Sequence, residues 1–377
     1  MRKNDYQPLG KYIEQVNVRN RDLTVTNLMG VSIEKRFIPS IANTIGTDLS
    51  PYKIVKPGQF AYGPVTSRNG DKITIALYNG NEDCIISQAY EAFRIKDTTQ
   101  LLPEYLMMWA KRPEFDRYAR YMSHGSVREL FSWEEMCNVM LPVPPIEEQR
   151  RIVSEYQTVE RRIANNEALI QKLEETAQAI YHHTFVEGID EENLPEGWRK
   201  DVLYDIAEFL NGKPCQNFAT IESHFIPVLK IRELGLGYTD KDSDKVVNTF
   251  PKEYIIHYGD LVFSWSASLF VDFWCYKEVA LNQHLFKVTS NEFPLWFCYL
   301  WIKYHISIWK NIITAKAVSM GHIKKNDLQS AVVFIPTKKE MQDLDSMIAP
   351  LFNYMMNLKR ENIHLRTLLS LLTSKLS

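Results

Sequence analysis

The chain has 377 residues, of which 45% are apolar and 24% charged, and its formal net charge is −2. That length is sufficient for two or three domains with proper cores, and the apolar content is ordinary for a globular protein. No stretch approaches the roughly 18 consecutive apolar residues of a membrane span, and the first residues lack the apolar core of an export signal, so we expect a cytoplasmic protein. Because a protein that alone neutralises many phosphates normally carries a basic excess, the charge argues against tight, unaided binding of nucleic acid.

The five cysteines lie far apart, at Cys84, Cys137, Cys215, Cys275 and Cys298. None belongs to a C-x-x-C pair or has a histidine neighbour at the spacing of a zinc ligand. They are therefore expected to be reduced cytosolic thiols, and the sequence predicts no metal site.

Residues 1–145 have the pattern of a mixed α and β domain. Short alternating runs such as KITIALYN (72–79) are typical of strands. The segment LPEYLMMWAKRPEFDRYARYM (102–122) has helical spacing, so its rings are expected to form a core rather than a base-stacking surface. The Gly-containing stretch YMSHGSVREL (121–130) that follows it is predicted to be a loop.

A long helix is predicted at 146–187, because the prolines of LPVPP (141–145) exclude helix before Ile146. Apolar residues then recur at alternating spacings of four and three, which is the a/d seam of a coiled coil. The seam contains Ile152, Tyr156, Val159, Ile163, Asn166, Ile170 and Leu173. The acidic, Gly- and Pro-containing segment 188–197 is predicted to be a linker.

The pattern then repeats with an offset of 192 residues, which places Trp109 on Trp301 and Pro144 on Pro336. A second mixed domain is thus predicted at 198–336, with AVSMGHIK (317–324) as the counterpart of the first Gly-containing loop. A second long helix is predicted at 337–377. Its seam matches the first position for position and contains Leu344, Ile348, Leu351, Met355, Leu358, Asn362 and Leu365.

Each seam contains one asparagine, and a lone polar core residue typically fixes the register of a helix pair at some cost in stability. The alternative is that the two helices are merely amphipathic and pack separately, each on the core of its own domain.

No catalytic motif is found in the sequence. SPY (50–52) lacks the second proline of the loop with which DNA amino-methyltransferases hold a flipped base, and no acid stands two residues before a lysine, as metal-dependent nucleases require. The GLG at 235–237 lacks the following glycine of a nucleotide-binding loop. We therefore expect a chain that is not itself an enzyme.

The arrangement resembles the specificity subunit of type I DNA restriction-modification enzymes over almost the whole chain. The resemblance is carried by LPVPPIEEQRRIV (141–153), LPEGW (194–198), GKP (212–214) and YKIVKPGQFAY (52–62). The second copy departs from the pattern, since TKKEMQ (337–342) replaces PIEEQR.

The resemblance implies an α+β fold, in which two pseudo-repeated target-recognition domains are separated by two long antiparallel helices that form a coiled coil. It also implies that each domain reads one half of a bipartite double-stranded DNA target, and that the helices set the spacer and dock two methylation subunits. Because the domains differ outside their shared core, the target should be asymmetric. Restriction subunits are further partners that it implies, and S-adenosylmethionine, Mg and ATP are expected only on partner subunits.

Polar and basic loop residues are the predicted DNA contacts, although any one of them could equally be a solvated surface side chain. They are Arg19, Arg21, Lys35, Arg36, Arg68, Asn69 and Arg128 in the first domain, and Lys213, Gln216, Asn217, Lys230, Arg232, Lys316 and His322 in the second. The alternative class is a non-enzymatic protein-binding scaffold with two repeated domains and a coiled coil.

Overall fold

The computed structural model describes residues 6–40, 46–67, 69–70, 72–124, 129–266, 268–315 and 323–376. The chain divides into two compact units, one formed by Met1–Arg161 with Thr367–Ser377 and the other by Arg162–Arg366. Each unit thus contains one mixed domain and a part of each of two long helices. Among the described residues, no helix is both long enough and apolar enough to cross a membrane.

The strands of the first unit are short and lie before the first long helix. They are β1 (Tyr6–Pro8), β2 (Ile13–Val16), β3 (Met29–Val31), β4 (Phe37–Pro39), β5 (Lys53–Val55), β6 (Phe60–Tyr62), β7 (Ile75–Leu77), β8 (Cys84–Ile86), β9 (Glu91–Ile95) and β10 (Met140–Pro142). The strands of the second unit are β11 (Arg199–Val202), β12 (Glu208–Asn211), β13 (Phe225–Leu229), β14 (Lys245–Val247), β15 (Ile255–Ile256), β16 (Leu261–Ser264), β17 (Phe270–Phe273), β18 (Val279–Leu281), β19 (Leu285–Thr289) and β20 (Val332–Ile335).

The helices include two that are much longer than the rest. They are α1 (Pro103–Ala110), α2 (Pro113–Tyr121), α3 (Trp133–Asn138), α4 (Ile146–Phe185), α5 (Leu203–Ile206), α6 (Ile231–Leu236), α7 (Leu295–Ala315), α8 (Lys325–Ser330) and α9 (Lys338–Ser374). Short 3-10 turns are found at Leu9–Lys11, Cys215–Phe218 and Lys252–Tyr254.

A four-stranded antiparallel sheet in the order β2-β9-β6-β7 forms the centre of the first unit. Phe60 of β6 lies opposite Phe93 of β9, and their rings stack with centroids 4.8 Å apart. The same core contains Val153 and Tyr156 of α4 and Leu376 just after α9, and Leu369 and Leu372 of α9 pack against it. Both long helices therefore contribute apolar side chains to this core, which stabilises their attachment to the first domain.

The second unit contains two four-stranded sheets. One is antiparallel in the order β12-β19-β16-β17, and the other, β14-β13-β18-β15, is mixed because β13 and β18 are parallel. The aromatic helix α7 packs on them, with Trp296, Phe297 and Trp301 buried. Phe185 of α4 and Phe352 of α9 belong to the same core.

The two units share a strand order. In each antiparallel sheet, the strand that comes first in the chain pairs with the strand that comes last. The last strand then pairs with the first strand of a hairpin, so that β2-β9-β6-β7 corresponds to β12-β19-β16-β17. A separate antiparallel pair closes each domain where it meets its long helix: Tyr6 lies opposite Pro142, and Arg199 lies opposite Ile335. The α+β fold with two pseudo-repeated domains is therefore confirmed.

The two long helices start by different local means. Gln149 in the first turn of α4 is fully buried, and its amide hydrogen-bonds the carbonyls of Pro144 and Gln100. The second copy has no glutamine there, and α9 starts with a capping box instead: Thr337 N donates to Glu340 Oε2 at 2.9 Å, and Glu340 N donates to Thr337 Oγ1 at 3.3 Å. The departure of TKKEMQ from the first copy is thus an alternative way to begin the same helix.

Within the second unit, α4 and α9 run antiparallel. Asn166 of α4 hydrogen-bonds Asn362 of α9 at 2.9 Å. Farther along α4, Glu174 contacts Tyr299, and the ring of Tyr299 contacts Phe352, which precedes Asn362 on α9. Moving forward on one helix therefore moves backward on the other.

Candidate functional site

The seam residues are turned away from solvent on both long helices. None of the fourteen is exposed, and seven are buried: Tyr156, Ile163, Asn166, Ile348, Met355, Leu358 and Asn362. The heptad pattern therefore describes the buried face of each helix.

A polar layer lies in the middle of this apolar seam. Asn166 donates from its amide to Asn362 Oδ1 at 2.9 Å and to Glu361 Oε2 at 3.1 Å. Glu361 also accepts two hydrogen bonds from the guanidinium of Arg162, which hold the pKa of its carboxyl below the usual value. The exposed pair Glu167 and Arg366 lies alongside at 2.5 Å. The polar atoms of this layer thus satisfy one another across the two helices.

A cluster of charged groups attaches the second domain to both helices. Glu174 of α4 accepts hydrogen bonds from Tyr299 and Lys303 of α7, and Lys359 of α9 forms an ion pair with Asp272 of β17 at 2.5 Å. Burial opposes ionisation of Glu174, but the bonds from Lys303 and Tyr299 outweigh it, so its pKa is lowered. Burial likewise opposes the charge on Lys359, but Asp272 raises its pKa. The orientation of this domain on the helices is therefore fixed by directional bonds as well as by apolar contact.

The ends of several strands meet at one edge of the second domain, which we call the second loop edge and define by Asn211, Lys213, Lys230, Trp265 and His284. β12 and β16 end where β19 begins, because their last residues pair with the first two residues of β19. Three chain segments and their loops are thereby brought together at this edge.

Hydrogen bonds connect the segments of the second loop edge. Trp265 Nε1 donates to Asn211 Oδ1 at 3.1 Å, and Ser266 Oγ lies 3.2 Å from His284 Nδ1. The ammonium of Lys213 lies 4.7 Å from the centre of the Tyr254 ring, a cation–π distance. The edge therefore presents a basic, an aromatic and several amide or imidazole groups together.

The equivalent edge of the first domain, the first loop edge, is defined by Arg19, Pro64, Asn69, Ala89 and Tyr90. Here β2 and β6 end where β9 begins, as the pairing of β9 with both strands shows. A cavity of about 390 Å³ lies at this edge and is lined by Pro64, Asn69, Ala89 and Tyr90 among others. The guanidinium of Arg19 donates to the Pro51 carbonyl at 2.6 Å.

The Gly-containing loops return to these edges at equivalent places. Phe131 N donates to the Pro64 carbonyl at 2.8 Å in the first domain, and Ile323 N donates to the Trp265 carbonyl at 2.9 Å in the second. Phe131 and Ile323 are 192 residues apart; Phe131 directly follows the loop predicted at 121–130, and Ile323 lies near the end of the loop predicted at 317–324. Each loop therefore ends beside the strand ends that form its loop edge.

Several predicted contact residues are exposed, namely Arg21, Arg36, Gln216, Asn217 and Arg232. Arg232, however, forms ion pairs with Glu233 and Asp240, which raise its pKa, and the ammonium of Lys230 is paired with Asp244. These two cations are already partly neutralised.

Lys35 does not fit the prediction of a loop residue that contacts DNA. It is only 8% exposed, its ammonium pairs with Asp116 at 2.8 Å and bonds the Ala110 carbonyl, and its φ is +58°. Burial lowers its pKa, while the charge of Asp116 opposes that effect. Lys35 therefore fastens its loop to the corner between α1 and α2, and its charge is not offered to a ligand.

Four predicted contact residues, Arg68, Arg128, Lys316 and His322, lie outside the described residues. Sequence reasoning also missed two members of the second loop edge, Trp265 and His284. Trp265 lies directly after β16 and His284 directly before β19, where side chains leave the sheet at its end.

The described residues contain no group of three histidine, cysteine or acidic side chains arranged to hold a metal ion. All five cysteines are free, and burial raises the pKa of Cys84 to about 11 and of Cys275 to about 12. These thiols therefore remain protonated at neutral pH.

Residues 34–175 and 195–363 match a family model described as the type I restriction modification DNA specificity domain. Because the two matches cover most of the chain and coincide with the two repeats, the protein belongs to this family of DNA specificity subunits. It is also similar to the type I restriction enzyme MjaIX specificity subunit of Methanocaldococcus jannaschii, with 22% identity over 297 residues, which are 73% of this chain and 68% of that one.

One solved structure supports the fold. The chain is similar to the crystal structure of a type I restriction-modification system S subunit from M. genitalium, with a TM-score of 0.57, 13% identity and coverage of 100% of this chain and 97% of that one. The HsdS subunit from Thermoanaerobacter tengcongensis matches with a TM-score of 0.35, 18% identity and coverage of 98% and 95%.

Proposed function

We propose that each domain reads one half of a bipartite, asymmetric DNA sequence through its loop edge. The observation that carries this proposal is that two domains with the same strand order present different side chains at their equivalent edges. The two edges are built alike, yet the first presents Asn69 beside a cavity and Arg19 at the Pro51 carbonyl, whereas the second presents Lys213, Trp265 and His284. Equivalent positions with different hydrogen-bonding groups are what two different half-sites require.

Base contacts at these edges come from side chains that match the groove chemistry of DNA. Arginine and lysine donate to guanine, asparagine and glutamine pair with adenine, and contacts of this kind are worth about 1–3 kcal/mol each in discrimination. Arg19, Arg21, Arg36 and Asn69 supply such groups in the first domain, together with Arg68 and Arg128. In the second domain they come from Lys213, Gln216, Asn217 and His284, together with Lys316 and His322.

The chain acts with partners. Its net charge of −2 leaves much of the grip on the phosphates to other subunits, since each neutralised phosphate contributes to affinity. The partners are two methylation subunits, which dock on the paired helices, and in a complete restriction system also restriction subunits. S-adenosylmethionine, Mg and ATP bind on those partners, and this chain carries out no chemistry of its own. The complex works in the cytoplasm, where the cysteines stay reduced.

The paired helices set the spacer between the two half-sites. α4 has 40 residues and is therefore about 60 Å long at 1.5 Å per residue. Half-sites centred about one DNA turn apart are separated by roughly 34 Å, which a helix of this length spans with room for domain attachment.

Domain exchange tests the proposal. Residues 194–336 are replaced by the corresponding segment of a relative with a different target, and the hybrid is expressed with the methylation subunit. Methylated sites are then mapped by single-molecule sequencing. One half-site should change while the other half and the spacer stay the same, because the exchanged segment leaves the first domain and both helices intact. A change in both halves would show that the two domains do not read DNA independently.

A further inference from the structure

Asn166 and Asn362 meet across the helix pair, yet they do not occupy equivalent positions in the two repeats. With the offset of 192 residues, the equivalent of Asn166 is Leu358 and the equivalent of Asn362 is Ile170. The antiparallel register that pairs the two asparagines places Ile170 opposite Leu358 in the next layer of the seam. One layer is therefore polar and its pseudo-symmetric equivalent is apolar.

The similarity of the two seams creates a competitor for the observed pairing. Since α4 and α9 match position for position, α4 of a second copy of the chain could take the place of α9. In an antiparallel pair, a residue at seam position d faces one at position a, and Asn166 is at d. It would therefore face Tyr156, Ile163, Ile170 or Ala177 of the second copy in any heptad register.

The same holds for α9 when it pairs with itself. Asn362 is at position a, and the d positions of α9 are all leucine, at Leu344, Leu351, Leu358, Leu365 and Leu372. Neither asparagine meets a hydrogen-bonding partner in an antiparallel self-pair. Each is left buried without its hydrogen bond, which is unfavourable because a buried amide that loses its partner is not compensated by water.

The Glu167–Arg366 ion pair beside the asparagines also favours pairing of α4 with α9 over pairing of either helix with its own copy. Glu167 pairs with Arg366, and the equivalent of Arg366 in the first repeat is Glu174. In a self-pair of α4, Glu167 would thus approach Glu174 of the other copy. In a self-pair of α9, Arg366 would approach Lys359, the equivalent of Glu167. Both self-pairs exchange an attraction for a repulsion between like charges.

We infer that the Asn166–Asn362 layer, with the Glu167–Arg366 pair, restricts α4 to pairing with α9 and rejects a second copy of the same helix. The chain gains specificity from a polar layer that adds little to stability, a use known for single asparagines in coiled coils. A parallel self-pair would bring like asparagines together, but it would forfeit the antiparallel arrangement in which α7 contacts both helices.

Two variants of the full chain test this inference. In the first, Asn166→Leu is combined with Asn362→Ile, which makes the polar layer identical to the Leu358–Ile170 layer. In the second, Glu167→Lys is combined with Arg366→Glu, which keeps the native attraction but makes both self-pair contacts attractive. Asn165→Leu is the matched control, because Asn165 is exposed beside the buried Asn166.

Each variant is prepared with two different affinity tags, and the two tagged forms are unfolded and refolded together at high concentration. Co-capture of one tag with the other, with the mass by light scattering, measures exchange between copies. Wild type and Asn165→Leu should show background co-capture, whereas the layer variant should show about tenfold more, as expected when unsatisfied buried amides no longer oppose exchange. The charge-reversed variant should also exceed the wild type. Background co-capture for both variants, each with a thermal midpoint near that of the wild type, would overturn the inference. If the thermal midpoint of the layer variant is below that of the wild type, only the charge-reversed variant is used. Background co-capture of that variant then overturns the inference.

Discussion

Lys111 and Lys303 occupy the same position in the two repeats, 192 residues apart, and each forms an ion pair with a glutamate of α4. Lys111 contacts Glu160 at 2.7 Å, and Lys303 contacts Glu174, two heptads farther along the helix. Each lysine also bonds a tyrosine hydroxyl. The equivalent of Glu160 in the second repeat is Phe352 of α9, so the repeat keeps the lysine and its type of contact but not the helix that the lysine contacts.

The two lysines are expected to differ in their contribution to stability. Lys303→Met leaves the half-buried Glu174 without its main partner and should lower the free energy of unfolding by about 1–2 kcal/mol, less than for a fully buried pair because both groups reach solvent. Lys111→Met should cost less than about 1 kcal/mol, because its partner Glu160 is more exposed than Glu174. Urea denaturation measures both values. Equal effects of the two substitutions, or an undiminished loss from Lys303→Met in a Glu174→Gln background, would contradict this assignment.

The length of the helix pair is expected to set the spacer. Seven residues inserted after Ala168 in α4 and seven after Lys359 in α9 preserve every seam contact and add about 10 Å. At about 3.4 Å per base pair, the spacer in the methylated sequence should grow by about three base pairs, with both half-sites unchanged. Sequencing of methylated sites reads the spacer directly. A variant that remains active on the original spacer would mean that DNA or partner subunits set the distance.

His305 should make the stability of the second unit depend on pH. It is 7% exposed, its Nε2 lies 2.8 Å from the Val332 carbonyl, and burial lowers its pKa from the ordinary value of 6.5. His305 therefore binds a proton more readily in the unfolded chain than in the folded one. Its contribution to the free energy of unfolding is complete above pH 6.5 and is lost as the pH falls toward the lower pKa of the folded state.

The measurement is the free energy of unfolding as a function of pH for the wild type and for His305→Gln, whose amide can replace the bond to Val332. The difference between the two chains should grow as the pH falls below 6.5 in the direction that favours the variant. A constant difference between the two proteins would show that His305 does not titrate differently in the folded and unfolded states.

His284 and His257 form a matched pair for testing the second loop edge. Both are exposed, but His284 lies beside the end of β16, whereas His257 lies before the start of the same strand. His284→Ala should relax the second half-site by about 1 kcal/mol, the scale of one hydrogen bond, and leave the first half-site unchanged. His257→Ala should leave both unchanged. Methylation rates on single-base variants of the target measure this, and equal effects of the two substitutions would remove the loop edge from the proposal.

The sequence was informative about the helices because their signals are local. Proline stops and a seam with spacings of four and three predicted helices at 146–187 and 337–377, and the structure has them at Ile146–Phe185 and Lys338–Ser374. The burial of Lys35 was not predictable, because a lysine in a polar loop has the same sequence pattern whether it is solvated or paired with Asp116.

Contacts between residues far apart in the chain could not be predicted from the sequence either. The pairing of Asn166 with Asn362 depends on the register between two helices, which the heptad pattern of either helix leaves open. The loop edges depend on strand order, since β2 pairs with β9 across most of the first domain. The DNA contacts themselves stay predictions, because loop position indicates which side chains are accessible and not which of them meet a base.

The most direct test of the central proposal is a map of methylated bases in cells that express this chain with its methylation subunit, compared with cells that express either protein alone. Single-molecule sequencing should find one bipartite motif, with two different half-sites at a fixed spacing, only when both proteins are present. A motif with identical halves, a continuous motif, or methylation by this chain alone would contradict the account that its two domains read different halves for a separate catalytic partner.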